Sequence, residues 1–468
     1  MFEAISTLFR GGFAHGIHPD PLKARTAGLP TQRMPFVDRY VLPLHQHLGA
    51  PSKPIVKVGE RVQRGQAIAE PGGFVSASLH SPVTGWVRAI GRYRMPAGRF
   101  EEALEIEADL YATQRPADNA PPDWRGLSLE RLVAEIARTG IVGLGGAALP
   151  TQVKLSLRNG TRIHTLIANG AECEPYLTND HRLMVERAEA LLRGIEILRT
   201  ALGAERAIIG VELNKPDAIE VLSERIPPDQ PVRVAPLEVK YPQGDSKMMI
   251  KSLLDIEVPV GLHASDVGVI MNNVGTLAAI ADWFDTGMPF IERLVTVSGP
   301  GVTYPANLIV PIGTPVREVL RFCGGLRPET REVVMGGPMM GTPLPSLDVP
   351  IIKSSSGILA FTEQETARPK EHPCIRCGRC VEVCPYFLNP SLLARLAKAK
   401  RYEEMKKIQI DECVECGSCT YACPSGIPIV QLIRGAKDAL RTGARKRRAV
   451  TETALSCHTM STPRGKHS

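Results

Sequence analysis

The sequence predicts a multidomain α/β protein that ends in a helical, cysteine-built unit. Three observations predict it. A chain of 468 residues is too long for one compact core, and 43 % hydrophobic with 22 % charged residues is an ordinary globular composition. From Ile163 to Met271 buried-strand patterns alternate with helical ones, the mark of a parallel, doubly wound sheet. From Cys374 to Pro424 the pattern C-x2-C-x2-C-x3-C-P occurs twice, as CIRCGRCVEVCP and CVECGSCTYACP, and takes eight of the eleven cysteines.

The repeat carries a definite chemistry. A [4Fe–4S] cluster needs four thiolates, and tight C-x2-C loops wrap three of them round one cubane. The fourth Cys of each run, before the Pro, reaches the other cluster. Cys374, Cys377, Cys380 and Cys423 are therefore expected to hold one cluster, and Cys384, Cys413, Cys416 and Cys419 the second. Zinc is satisfied by two C-x2-C pairs and needs no trailing Cys-Pro. Thiolates in two such motifs imply a reducing compartment, and Cys173, Cys323 and Cys457 remain, an odd number that speaks against a disulfide framework. Two clusters with interleaved ligands lie close together and make an electron relay.

Taken in order, the chain starts with Phe2, Ile5, Leu8 and Phe9 near helical spacing, a short face for packing or docking. The pairs His15/His18 and His45/His47 have no carboxylate or Cys motif beside them, so a metal is not expected there. From Lys57, KVGERVQRGQAIAEPGG and SASLHSPVTGWVRAI read as a small β domain of hairpins. It resembles the barrel-sandwich fold of biotinyl and lipoyl carriers. The modifiable Lys of such carriers is missing: the corresponding stretch is His80-Ser81-Pro82-Val83-Thr84-Gly85, which favours a structural or docking role.

A polar, Pro-rich linker, Ala112–Arg125, leads to a helix capped by Ser128 and ended by Gly140. Then come GIVGLGGAALPT, the strand IHTLIAN running into NGAECEPYLTND, a long helix from about Arg182 to Leu202, and strands at Ala207–Leu213, Val232–Val239 and Val267–Met271. Ligands of such sheets sit at the carboxyl ends of the strands, where Asn169–Asn179 and Asn272–Thr276 fall. Leu294–Gly325 reads as a β-grasp pattern of two strands, a turn and a helix with Thr314 as N-cap and Pro315 first in the helix. Phe361–Pro373 reads as a linker.

One set of loop residues suits a flavin. Gly143, Gly145 and Gly146 expose backbone amides for a phosphate, and Lys154 lies just beyond, suited to a phosphate or reduced flavin. Asn169, Glu172 and Glu174 suit ring and ribose contacts, and Tyr241, Gly244, Asp245, Asn272, Asn273 and Thr276 add polar groups in loops. Non-covalent FMN is the expected flavin, since no second nucleotide signature accompanies the set.

The order GxGGAxxPTxxK, NxxExEP, YxxGD, NNVxT resembles the FMN- and NADH-binding flavoprotein subunit of respiratory complex I and the related hydrogenase diaphorase subunits. Two features depart from that family: the paired ferredoxin motifs and the barrel-sandwich start. Together with KYPQGDSKMMIK and GGPMMGTPLP, both resemble the C-subunit family of Rnf (Rsx) ion-translocating electron transport complexes, over nearly the whole chain. The resemblance implies a peripheral subunit on the cytoplasmic face of a bacterial inner membrane. Its partners are the other members of the complex, with NADH as substrate and ferredoxin as the complex's redox partner. It implies electron transfer through FMN and two [4Fe–4S] clusters, coupled to Na+ or H+ movement. Ala171 stands where the complex I family has an Asp, and Leu149 where it often has an aromatic.

The expected organisation is a barrel-sandwich-like β domain (1–115), an FMN/NADH-binding α/β domain (116–289), a β-grasp domain (290–347), a linker (348–370), a two-cluster ferredoxin-type domain (371–435) and a basic tail (436–468). Hydride transfer needs no general acid or base, and no catalytic side chain is assigned. Two other readings stand beside this one: an iron–sulfur adaptor without NADH turnover, and a soluble diaphorase subunit. A net charge of +7 without interleaved aromatics excludes nucleic-acid binding. No apolar run reaches spanning length and Met1–Phe13 has no signal-peptide pattern, so a cytoplasmic chain is expected. The basic run GAKDALRTGARKRR (Gly435–Arg448) is either a solvated face or a docking surface for anionic headgroups or an acidic face of a neighbouring subunit.

Overall fold

The computed structural model describes residues 12–158, 160–367 and 369–443. The N-terminal apolar face (Phe2, Ile5, Leu8, Phe9) and the basic tail from residue 444 lie outside the described residues. The chain forms two compact units, one spanning His18–Ala367 and the other joining Ala14–Ile17 to the chain beyond Ala367.

In the first unit the β domain pairs two antiparallel sheets. One runs Arg39–Pro43, Phe100–Ala108, Gly85–Arg94, Arg61–Val62, and the other Lys53–Pro54, Ala67–Glu70, Leu79–His80. Tyr40, Leu42, Ile68, Leu79, Val83, Leu104 and Ile106 fill the core, each at most 1 % exposed. Gly85 is required there, because a Cβ would fall 2.1 Å from the Glu107 carbonyl oxygen. The stretch His80–Gly85, where a carrier would display its lysine, is buried throughout.

The α/β domain is a four-stranded parallel sheet in the order Val232–Leu237, Arg206–Glu212, Thr165–Gly170, Val269–Asn273. Its strands are apolar runs covered by helices, as a parallel sheet demands. Helices Ala188–Leu202 and Val274–Thr286 cross closely at Gly194, where a Cβ would meet the Leu277 carbonyl at 2.0 Å. The long helix expected from Arg182 to Leu202 is two helices, Asn179–Glu186 and Ala188–Leu202, because Arg187 leaves helical geometry at φ −129, ψ 33. Helix Leu129–Thr139 has its expected ends: the Ser128 hydroxyl accepts from the Arg131 N–H, and Gly140 takes φ +70.

The third sheet has six strands in the order Thr31–Arg33, Ala306–Pro311, Glu292–Ser298, Gly357–Thr362, Thr330–Met335, Thr342–Pro343. It draws strands from beyond the expected β-grasp limits. Thr31–Arg33 comes from the N-terminal segment, and Gly357–Thr362 comes from the stretch expected as a linker. The helix after Pro311 begins at Val316 with Pro315 as its N-cap, while the Thr314 hydroxyl donates back to the Pro311 carbonyl at 2.7 Å. The expected cap and first helical residue are thus each displaced, because Thr314 closes the preceding turn.

The second unit is helical. Short helices Arg379–Glu382 and Ser418–Tyr421 follow Gly378 (φ +82) and Gly417 (φ +85), so the two Cys runs fold alike. Asn389 caps Pro390–Lys398 by accepting from the Leu392 N–H. Residues 429–443 are helical, past the expected limit at 435. Ala436 and Leu440 lie in this unit's core, and Lys437 donates to the Cys413 carbonyl at 2.6 Å and pairs with Glu415 at 3.3 Å. Lys437 is therefore a buried tie and no part of a displayed basic face. Among the described residues no helix is long and apolar enough to cross a membrane.

Candidate functional site

The parallel register sets Asn169 beside Asn273 and Ala168 beside Asn272 at the carboxyl ends of the two neighbouring strands. Three loops meet there. The Leu144 N–H donates to the Thr276 hydroxyl at 3.0 Å, which ties the glycine loop Gly143–Gly146 to the start of helix Val274–Thr286. A Cβ on Gly145 would meet the Asn273 Cβ and Nδ2 at 3.1 Å each, while Gly146 faces open space. Asn169 staples the third loop: its Nδ2 donates to the Gly244 carbonyl at 2.8 Å and its Oδ1 accepts from the Ala171 N–H at 3.2 Å. The Gly244 N–H in turn donates to the Cys173 sulfur at 3.4 Å. Burial pushes that thiol's pKa up, so it stays a neutral acceptor.

Several expected ligand contacts are committed to the protein itself. Asn273 caps its helix through the Gly275 N–H at 2.8 Å and donates to Asp180 Oδ2 at 2.6 Å. Asp245 caps Ser246–Leu254. The Glu172 carboxylate accepts from the N–H groups of Asp180 (2.7 Å) and His181 (3.3 Å). Glu174 accepts from Met339 (3.0 Å) and Met340 (2.9 Å), in the GGPMMG loop of the six-stranded sheet. Tyr241 is 1 % exposed. Lys154 donates to the Met271 carbonyl at 2.8 Å, and burial lowers its pKa. Asn272 differs: it is 3 % exposed, and its Nδ2 has no acceptor among the described residues.

Sequence reasoning missed the charges beneath these loops. Asp180 is buried, and desolvation with the nearby Glu172 raises its pKa to about 6. Arg293, 2 % exposed, donates to the Leu144 carbonyl at 3.1 Å under the glycine loop, and burial lowers its pKa. Lys23 and Lys215 hold carbonyls of the 171–177 segment. Asp180 lies within the NGAECEPYLTND stretch, and the three basic residues belong to no motif.

In the helical unit, Cys374, Cys377, Cys380 and Cys423 line one open cavity of about 1010 Å³, with His372, Arg376, Arg395 and Lys398 at its edge. Cys384, Cys413, Cys416 and Cys419 line a second, much smaller one of about 20 Å³. Cys374 and Cys377 are exposed, whereas Cys419 is buried. The thiols surround cavities: among the described residues no three His, Cys, Asp or Glu side chains gather on one point as a lone metal ion requires.

Four families match consecutive stretches: "RnfC Barrel sandwich hybrid domain" over residues 11–111, "Nuo51 FMN-binding domain" over 136–282, "SLBB domain" over 294–343 and "4Fe-4S dicluster domain" over 373–427. Among curated proteins, the chain is 41 % identical over 395 residues to the C subunit of the proton-translocating ferredoxin:NAD(+) oxidoreductase complex of Clostridium ljungdahlii, covering 84 % of this chain and 86 % of that one. It is 38 % identical to the C subunit of the Na(+)-translocating ferredoxin:NAD(+) oxidoreductase complex of Acetobacterium woodii, over 84 % of this chain and 89 % of that one. It is 44 % identical to the C subunit of the ion-translocating oxidoreductase complex of Pseudomonas aeruginosa, over 91 % of this chain and 55 % of that one. On these matches, and on the folds and cysteine runs that carry them, the chain belongs to the C-subunit family of ion-translocating oxidoreductase complexes.

Proposed function

We propose that this chain is the NADH-side electron-transfer subunit of an Rnf-type complex that couples electron flow between NADH and ferredoxin to ion movement. It would sit peripherally on the cytoplasmic face of the membrane beside the other members of the complex. The observation that carries the reading is that one chain holds both a set of loops tied together at the strand ends, where the buried Asn272 Nδ2 has no acceptor among the described residues, and two crossed four-cysteine sets.

The residues present fit FMN. Gly146 leaves the glycine loop bare, and the Asn272 Nδ2 is a buried donor lacking an acceptor among the described residues. Gly143–Gly146, Lys154 and Asn272 would hold the flavin. Asn169, Glu172, Glu174, Tyr241, Gly244, Asp245, Asn273 and Thr276 would fix the loops around it. Cys374, Cys377, Cys380 and Cys423 would hold one [4Fe–4S] cluster and Cys384, Cys413, Cys416 and Cys419 the other. When bound, FMN would supply the exchange of a hydride's electron pair for single electrons, and the clusters would carry electrons singly. The chain itself positions and excludes water. Paired backbone donors lock both glutamates, buried charges hold the loops from below, and no side chain has to move a proton.

Anaerobically purified full-length protein tests the reading. Acid extraction is expected to release FMN, and NADH is expected to bleach the flavin and produce cluster EPR signals. Recovery of FAD or of no flavin refutes the cofactor assignment. Clusters that stay oxidised with NADH, yet accept electrons from reduced ferredoxin, favour the adaptor reading.

A further inference from the structure

A buried ammonium is tolerated where its N–H groups all meet acceptors. Lys23 is 8 % exposed and Lys215 0 %. Lys23 Nζ donates to the carbonyls of Glu172 (2.9 Å), Glu174 (2.9 Å) and Leu177 (2.5 Å). Three acceptors use three N–H donors, which only the charged form has. Burial lowers the pKa of Lys23 to about 8 against the pull of Glu172, so the ammonium is the form at neutral pH. Lys215 Nζ donates to the Ala171 carbonyl (2.6 Å), Asn214 Oδ1 (2.8 Å) and Glu212 Oε2 (3.1 Å).

The carbonyls of Ala171 and Glu172 therefore point at two cations. In a trans peptide the N–H points opposite to the C=O. The Glu172 N–H thus faces away from Lys215, and the Cys173 N–H away from Lys23. Among the described residues neither amide has an acceptor. Glu172 has φ +49, a left-handed geometry that lets successive N–H groups converge on negative charge.

We propose that Lys23 is a positioning residue: with Lys215 it turns the Glu172 and Cys173 amides into the flavin cleft, where they stabilise an electron-rich, reduced ligand. The proposal rests on the FMN reading above. It gives the segment ahead of the β domain a role in the redox site, since Lys23 acts on a loop 149 residues further along the chain.

The test compares full-length wild type with Lys23→Met, both loaded with FMN. The variant is expected to keep its flavin, while the two-electron flavin midpoint falls by about 30 mV, a tenfold loss in favouring the reduced form. In NADH-to-dye assays kcat falls and KM for NADH stays within about twofold. An unchanged midpoint in flavin-loaded Lys23→Met overturns the proposal. Hydrogen exchange on wild type provides an arm that does not depend on the variant folding. Peptides covering residues 170–178 are expected to exchange more slowly with FMN bound, and more slowly again after dithionite reduction. Equal exchange with oxidised and reduced FMN overturns the proposal alone. Wild type that takes up no FMN overturns the cofactor reading and this proposal together.

Discussion

Neighbouring asparagines at one strand end make opposite predictions. Asn272 carries a buried Nδ2 with no acceptor among the described residues, while Asn273 caps a helix and binds Asp180. An unmade buried hydrogen bond costs about 1–3 kcal/mol. Asn272→Ala removes that cost and loses only slight packing, so the flavin-free protein is expected to be no less stable than wild type, and up to about 1–3 kcal/mol more stable to unfolding. With FMN the same change removes a waiting donor, and about 1.4 kcal/mol of lost binding is a tenfold rise in Kd. Asn273→Ala loses a cap worth about 0.5–2 kcal/mol and strands a buried Asp180 oxygen, so flavin-free stability is expected to drop by about 2–4 kcal/mol. Chemical unfolding of flavin-free protein and FMN titration by fluorescence quenching read the two quantities separately. If Asn272→Ala destabilises as much as Asn273→Ala and leaves FMN affinity unchanged, the reasoning fails: Asn272 is then a structural residue and the cleft needs another donor.

Three further outcomes are expected. Cys423→Ser is to disturb the cluster built on Cys374, Cys377 and Cys380 and spare the other, read as about four irons retained of about eight and loss of one EPR signal; damage confined to the second-run cluster refutes the crossed pairing. Gly337→Ala sets a Cβ 2.3 Å from Glu174 Oε2 and is expected to destabilise by about 1–3 kcal/mol and raise KM for NADH; unchanged unfolding shows that the GGPMMG loop yields freely. Lys353 donates to the carbonyls of Ser78 (2.7 Å) and Gly140 (2.6 Å), two acceptors that a neutral amine satisfies, and burial lowers its pKa from 10.5 to about 7. Between those values the unfolded chain holds a proton that the folded chain has released, so wild-type stability relative to Lys353→Met is expected to rise from pH 7 to 9; a difference that is flat with pH refutes the assignment.

The parallel sheet was legible because fully apolar strands ending in Asn leave local traces. The same holds for Ser128 and Gly140, whose capping roles are encoded within one turn. The six-stranded sheet was less legible. Its edge strand Thr31–Arg33 is three half-exposed polar residues with no alternation, and Gly357–Thr362 sits in a stretch whose charged end reads as a linker. The glutamates of NGAECEP stand out in the sequence, but not the backbone donors that pin them: Asp180 and His181 for Glu172, and the distant Met339 and Met340 for Glu174. Buried lysines are least legible of all: Lys is almost never fully buried, and only distant carbonyls reveal that Lys23, Lys215 and Lys353 are.

Those lysines explain why a carrier-like β domain with no carrier lysine stands at the front of the chain. Its would-be tip, His80–Gly85, is buried, and carbonyls just ahead of it are acceptors: Ser76 for Gln152 Nε2 at 2.7 Å, and Ser78 for Lys353. Lys353 also holds Gly140, at the start of the segment that leads into the glycine loop, and the Leu48 N–H donates to the Ala148 carbonyl at 3.2 Å. The β domain thus braces the glycine loop from one side. The segment ahead of it, through Lys23, holds the Glu172–Leu177 loop, and the six-stranded sheet holds the same loop through Glu174 and the Thr178 N–H on the Thr296 hydroxyl at 3.0 Å. The glycine loop and the Glu172–Leu177 loop are thus each fixed by modules outside the parallel sheet, while the Gly244 loop is tied from within by Asn169 and Cys173. A cleft held this way cannot swing as a carrier arm does, which fits a fixed relay whose mobile parts are electrons and nucleotide.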